Sequence, residues 1–155
     1  MESIHVPIGV NPAITPYLTV EDADAAIRFY QRAFGFEKKL RVTDETGHTQ
    51  HAEMVWRDGL LMFGPAPEGS VRERGGTPTV MLQIAVEDVD LLYQRALAAG
   101  AVPVRPPRNE VWGDRTCILE DPDGYRWLFT THRTHRFLCN AIEEFESVPV
   151  LKYRH

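Results

Sequence analysis

The chain has 155 residues, of which 43% are hydrophobic and 25% charged, and it carries a net charge of −5. That length suits one domain, 1–155, or two fused small modules burying roughly two thirds of the unfolded surface, with no room for a separate cofactor domain. The acidic balance excludes the basic stripe of a nucleic-acid binder, no apolar run is long enough to span a membrane, and no secretory leader is visible, so the expected setting is cytoplasmic.

In chain order, the first pattern is I-T-P-Y-L-T-V from Ile14, where Ile14, Pro16, Leu18 and Val20 alternate with Thr15, Tyr17 and Thr19. A period of two predicts a half-buried strand. A helix is expected next, capped by Asp22 or Asp24, with Ala26, Ile27, Tyr30, Ala33 and Phe34 at helical spacing and Gly35 as terminator. Strands are then predicted at Glu37–Val42, Gln50–Trp56 and Leu60–Phe63, joined by turns at Asp44-Glu45-Thr46-Gly47 and Arg57-Asp58-Gly59. The Pro- and Gly-rich run 65–79 reads as a connector.

The pattern then returns. Val20-Glu21-Asp22 recurs as Val86-Glu87-Asp88, 66 residues later, behind an alternating strand that begins at Val80. The second helix is capped by Asp88 or Asp90, buries Val89, Leu92, Tyr93, Ala96 and Leu97, and ends at Gly100. A short strand at Val102–Val104, a Pro-Pro turn at 106–107, a strand at Arg115–Leu119, the turn Asp121-Pro122-Asp123-Gly124 and a last strand at Tyr125–Thr131 complete the copy. Residues 12–64 and 80–132 are thus two tandem βαβββ modules of the α+β class, one supersecondary unit used twice. Phe137, Leu138, Ala141, Ile142 and Phe145 suggest a helix in the extension 133–155. Of the two cysteines, Cys117 reads as a small core residue, and Cys117 with Cys139 makes no disulfide framework.

The paired modules, the Val-Glu-Asp helix starts, Phe29-Tyr30 in the first helix and Asp-Pro-Asp-Gly-Tyr-Arg-Trp at 121–127 together resemble the vicinal oxygen chelate superfamily, which includes glyoxalase I, extradiol dioxygenases and bleomycin-resistance proteins. The resemblance covers about residues 12 to 132 and implies a cup of curved mixed sheet, with helices outside, and a homodimer. It also implies four positions for a divalent metal ligand, which fall on Thr15, Met62, Met81 and Leu128. A hydroxyl, two thioethers and an isobutyl group make a poor cage for such an ion, so no metal and no cofactor are expected. They make a soft, apolar floor for an organic ligand instead.

Around that floor, Tyr17 and Gln83 occupy equivalent places in the two copies, and His51 and Glu53 share one face of their strand opposite Ala52, Met54 and Trp56. His51 and Glu53 are the candidate acid/base pair, against the alternative that they form an outward, solvated face. Trp112 would stack on a planar ligand and Arg115 would pair an anion, or both would be structural, with Arg115 paired to Asp114 or Glu120. Trp127 and Phe129 are expected to pack on a helix, and His132 and His135 to lie in a solvated exit from the last strand. The expectation is a metal-independent binding protein for a partly aromatic small molecule; the alternative is an enzyme using His51 or Glu53, or a non-standard metal site.

Overall fold

The computed structural model describes residues 12–66 and 80–132. The expected C-terminal helix, residues 67–79 of the connector, His135 and Cys139 lie outside the described residues. The elements are β1 (Tyr17–Val20), α1 (Ala23–Phe29), a π-helical turn (Tyr30–Phe34), β2 (Glu37–Thr43), β3 (Thr49–Trp56) and β4 (Gly59–Pro65), followed by β5 (Met81–Ala85), α2 (Val89–Ala98), β6 (Val102–Asn109), β7 (Asp114–Glu120) and β8 (Arg126–His132).

Each module folds into its own four-stranded mixed sheet, in the orders β1-β4-β3-β2 and β5-β8-β7-β6. In both, the first strand runs parallel to the last and the remaining pairs are antiparallel. The repeat is therefore a repeat of topology as well as of sequence. Asp22 and Asp88 are the caps, each accepting from a backbone N–H three residues on at 3.0 Å. Gly35 and Gly100 close the helical segments at φ 74° and 100°, a left-handed conformation that a Cβ would strain. The π-helical turn after α1 was not foreseen. It carries Tyr30 and Phe34 into the centre of the molecule.

Tyr30 shows how the two modules are held. Its ring makes edge contacts with Phe63 of β4 at 5.5 Å and with Trp127 of β8 at 5.4 Å, so it lies between the two sheets. Phe34 packs on Trp127 and Phe129 at 5.2 and 4.8 Å. The faces that bear the helices thus turn toward each other around one shared aromatic core, in which Trp127, Phe129 and Phe63 are fully buried, and the opposite faces of both sheets point away. Cys117 is buried in this core, and burial pushes its thiol up to about 12, so it is inert as a nucleophile.

Two reciprocal clamps join the modules at their rims. Trp56, at the end of β3, donates its indole N–H to the Ala85 carbonyl of β5 at 2.9 Å. Tyr125, just before β8, accepts from Thr19 N–H at 3.1 Å and donates to the Thr19 carbonyl at 2.8 Å on β1. Tyr125→Phe removes both bonds and leaves the Thr19 amide and carbonyl unpaired. A loss of about 1–3 kcal/mol is expected in urea unfolding, the cost of orphaning part-buried polar groups.

Three expectations are corrected. The first strand begins at Tyr17, not Ile14: Ile14 is 90% exposed, and ahead of Tyr17 the Pro16 carbonyl accepts from Met62 N–H. No turn forms at Pro106-Pro107, which lie inside β6. That strand is an edge with register shifts either side of Arg105, so the missing proline N–H groups cost no ladder bond. His132 is the last residue of β8 rather than part of the chain leaving it, and its Nδ1 lies 2.6 Å from Asp114 Oδ1, while its side chain is 67% exposed, the solvated setting expected.

Candidate functional site

The away-facing surface of the first sheet is built from one row of strand partners. Tyr17 of β1 is paired with Met62 of β4, Met62 with Glu53 of β3, and Glu53 with Leu40 of β2. Ala52 and Met54 flank Glu53 on the core side with no exposure, so the period of two sends His51 and Glu53 outward together. The alternation read from the sequence is correct here. Outward, however, does not mean solvated: Glu53 is 8% exposed.

Its partners account for that. Glu53 Oε2 lies 3.2 Å from Lys39 Nζ on β2, and Oε1 lies 3.2 Å from His51 Nε2. His51 Nδ1 lies 3.4 Å from the Tyr17 hydroxyl, and the two rings stack with centroids 5.7 Å apart. Lys39, Glu53, His51 and Tyr17 therefore form one continuous polar chain beside the thioether of Met62. Burial raises the Glu53 carboxyl, but hydrogen bonds from His51 and Lys39, with the charge of Lys39 behind them, outweigh it and hold the group below its ordinary value. A carboxyl lowered in the folded state stabilises the fold above its unfolded pKa, and that contribution is lost as pH falls through the folded one. Glu53→Gln is expected to melt below the wild type at neutral pH, with the gap closing as the pH drops below about 4.

The matching row of the second sheet is Gln83, Leu128, Ile118 and Arg105. Ile118 stands where the first module has Glu53, so the carboxylate-centred chain has no copy there. A different network lies nearby: Glu110 accepts from Thr116 at 2.6 Å and is paired with Arg105 and Arg108, each at 3.1 Å. Trp112 and Arg115 both have partners within the chain. The Trp112 indole donates to Asp114 at 3.1 Å, and Arg115 closes its fork on Asp90 at 2.6 and 2.8 Å rather than on Asp114 or Glu120.

The four positions that the resemblance assigns to a metal are not brought together as a set of donors. Met62 lies beside Tyr17 and Leu128 beside Gln83, whereas Thr15 precedes β1 with its hydroxyl on the Pro12 carbonyl at 3.1 Å, and Met81 is paired with Arg126. Thioether and alkyl groups do not fit a hard or borderline divalent ion. Among the described residues, no group of three or more His, Cys, Asp or Glu is placed to hold one.

A cavity away from this face was not anticipated. A cavity of about 440 Å³ opens between the modules on their core-facing side, walled by Phe36, Met54, Trp56, Leu61, Leu82 and Trp127. Arg57 stands at its rim with the guanidinium 5.5 Å over the Trp56 ring and a left-handed φ of 53°. Of the ligand-lining residues expected from the sequence, Gln83 alone borders it. The space arises from how two modules meet, which no local pattern encodes. Lys39 was also missed, since its approach to Glu53 depends on a register shift between β2 and β3.

Two tandem βαβββ modules, each with a sheet face left open, define a protein of the glyoxalase fold. The family model for the Glyoxalase/Bleomycin resistance protein/Dioxygenase superfamily matches residues 10–129, and the chain belongs to that superfamily. Its members typically bind small molecules and often dimerise. An uncharacterised protein of Mycobacterium bovis is 36% identical over 127 residues, covering 77% of this chain and 83% of its own length. An uncharacterised protein of Mycobacterium tuberculosis is 36% identical over the same span, 74% of its length. Among solved structures, TioX from Micromonospora sp. ML1 is similar at 32% identity and a TM-score of 0.65, over 80% of this chain and 99% of that one. A glyoxalase-related enzyme from Fulvimarina pelagi shares the fold at 22% identity and a TM-score of 0.62, over 79% and 88% of the two chains. No described helix is long and apolar enough to cross a membrane.

Proposed function

We propose that this protein binds a partly aromatic small molecule without a metal ion, on the open face of its first sheet, and that it works in the cytoplasm as a homodimer. The observation that carries the reading is the row Tyr17, Met62 and Glu53 with His51 beside it: an exposed ring, a polarisable floor and a few fixed polar groups. The dimer reading draws support from the open edges. Tyr17 is 57% exposed on the edge strand β1 and Met81 45% on the edge strand β5, while Leu40 and Val42 are 43% and 46% exposed on β2. A second chain would cover such apolar edges and enclose a ligand that one sheet face leaves open.

The test is a fluorine-NMR screen of aromatic fragments against protein treated exhaustively with chelator. Fragments are expected to bind the chelated protein as tightly as before, and Trp56→Ala, which changes the inter-module cavity and the clamp on Ala85 but no residue of the open row, is expected to leave that binding unchanged. Binding that vanishes on chelation and returns with zinc would overturn the metal-independent reading. Binding that disappears in Trp56→Ala would move the site to the cavity. The 3.2 Å approach of His51 to Glu53 favours one alternative, an enzyme with this pair as acid and base. A Glu53→Gln variant that keeps fragment affinity but loses turnover of a substrate would select it.

A further inference from the structure

The polar chain on the first sheet has a direction, and the direction says which chemistry it would meet. Glu53 is held ionised by its neighbours, and an ionised carboxylate only accepts hydrogen bonds. Lys39 donates to one of its oxygens, so the His51 Nε2 facing the other oxygen at 3.2 Å must carry a proton. In the neutral ring the proton on Nε2 leaves Nδ1 as an acceptor. The Tyr17 hydroxyl, 3.4 Å away, then donates its single proton to Nδ1. What remains for anything arriving at the open face is the oxygen of Tyr17 with a lone pair free.

The backbone is shaped for this arrangement. A Cβ built on Gly64 of β4 would lie 2.8 Å from the Tyr17 hydroxyl and 2.6 Å from the Gln50 carbonyl. Glycine there keeps open the niche that lets the hydroxyl reach the imidazole. In the second module the equivalent of Tyr17 is Gln83 and the equivalent of Glu53 is Ile118, so the device is built once.

Resting on the reading of this face as the binding site, we propose that Tyr17 is its ligand-contacting group, with its hydroxyl fixed as a hydrogen-bond acceptor by Lys39, Glu53 and His51 as positioning residues. The site then selects aromatic molecules that carry an O–H or N–H donor over the same molecules with that donor capped. The ring of Tyr17, stacked on His51 and adjacent to Met62, supplies the flat apolar contact, and the oriented oxygen supplies the discrimination.

Two measurements test this on the full chain. In the first, para-fluorophenol and para-fluoroanisole, which differ by one methyl cap, are titrated by fluorine NMR. The wild type is expected to favour the phenol by roughly three- to tenfold, the range of one net hydrogen bond, and Tyr17→Phe to bind both about equally. Equal affinity in the wild type, or a preference that survives in Tyr17→Phe, overturns the proposal while leaving the binding face intact. Failure of both probes to bind overturns the face itself as an aromatic site, and the proposal with it. In the second, ligand-free protein labelled at histidine nitrogen is read by NMR. His51 is expected as the Nε2–H tautomer, with that preference lost in Glu53→Leu. A dominant Nδ1–H tautomer overturns the relay whatever the probes do. Gly64→Ala, compared with Tyr17→Phe, is expected to abolish the phenol preference, since both remove the bond from Tyr17 to His51.

Discussion

Asp121→Ala is expected to cost about 3–5 kcal/mol of folding stability, a large share of the roughly 5–15 kcal/mol that holds a domain of this size together. The carboxylate opens the Asp-Pro-Asp-Gly turn and is 2% exposed. One oxygen accepts from the Tyr30 hydroxyl at 2.6 Å and the Trp127 indole at 3.0 Å; the other accepts from the backbone N–H groups of Asp123 and Tyr125 at 2.9 and 3.0 Å. Tyr30 belongs to the first module, and Asp121 and Trp127 to the second. One side chain therefore fixes a turn, orients the central aromatic rings and joins the halves.

Burial pushes the Asp121 carboxyl up despite these donors, and burial ahead of the Asp121 charge pushes Tyr30 far up, so the phenol stays a donor. Truncation would remove the acceptor that the Tyr30 hydroxyl, the Trp127 indole and the two backbone amides share. Asp121→Asn keeps the shape and part of the acceptance and is expected to lose less, about 1–3 kcal/mol. Urea unfolding of the three proteins checks this. A change below 1 kcal/mol for alanine would mean that the modules are held by ring packing alone.

Met62→Arg is expected to abolish ligand binding, by more than about a hundredfold, while leaving the far-ultraviolet circular dichroism of the sheets unchanged. Met62 is half-buried in the middle of the open row, paired with Tyr17 on one side and Glu53 on the other. A guanidinium there would stand over the floor and compete with Lys39 and His51 for the Glu53 carboxylate, breaking the polar chain as well as filling the space. Each lost contact counts on the same scale, since every 1.4 kcal/mol is tenfold in affinity. Met62→Leu keeps the volume and apolar character and is expected to bind within about threefold of the wild type. Fragment titration distinguishes the two. Undiminished affinity in Met62→Arg would place the ligand elsewhere on the molecule.

Much of this fold is legible in the residues because the repeat is read at two levels at once. The alternation of Leu18 and Val20 with Tyr17 and Thr19, and of Ala52 and Met54 with His51 and Glu53, sorted core from open face correctly, since a one-residue slip would have exposed every aliphatic group. Trp127 and Phe129 were placed on the helix side by the same reasoning, and both are fully buried. What escaped depends on contacts between distant segments. That Tyr17 lies beside Met62 is a matter of parallel register between β1 and β4, which no local pattern signals. Lys39 reaches Glu53 across a bulge, and Arg115 finds Asp90 on α2, so neither partner is signalled by nearby sequence. Ile14 failed for a different reason: its alternation is real, but the strand that would use it starts three residues later.

The most direct test of the metal-free reading is native mass spectrometry combined with elemental analysis of the purified protein. The expected result is a pair of chains carrying a small organic adduct, or accepting an aromatic fragment, with transition metals well below one per chain. A stoichiometric zinc, iron, nickel or manganese ion retained with the folded protein, and released only together with the ligand, would contradict it.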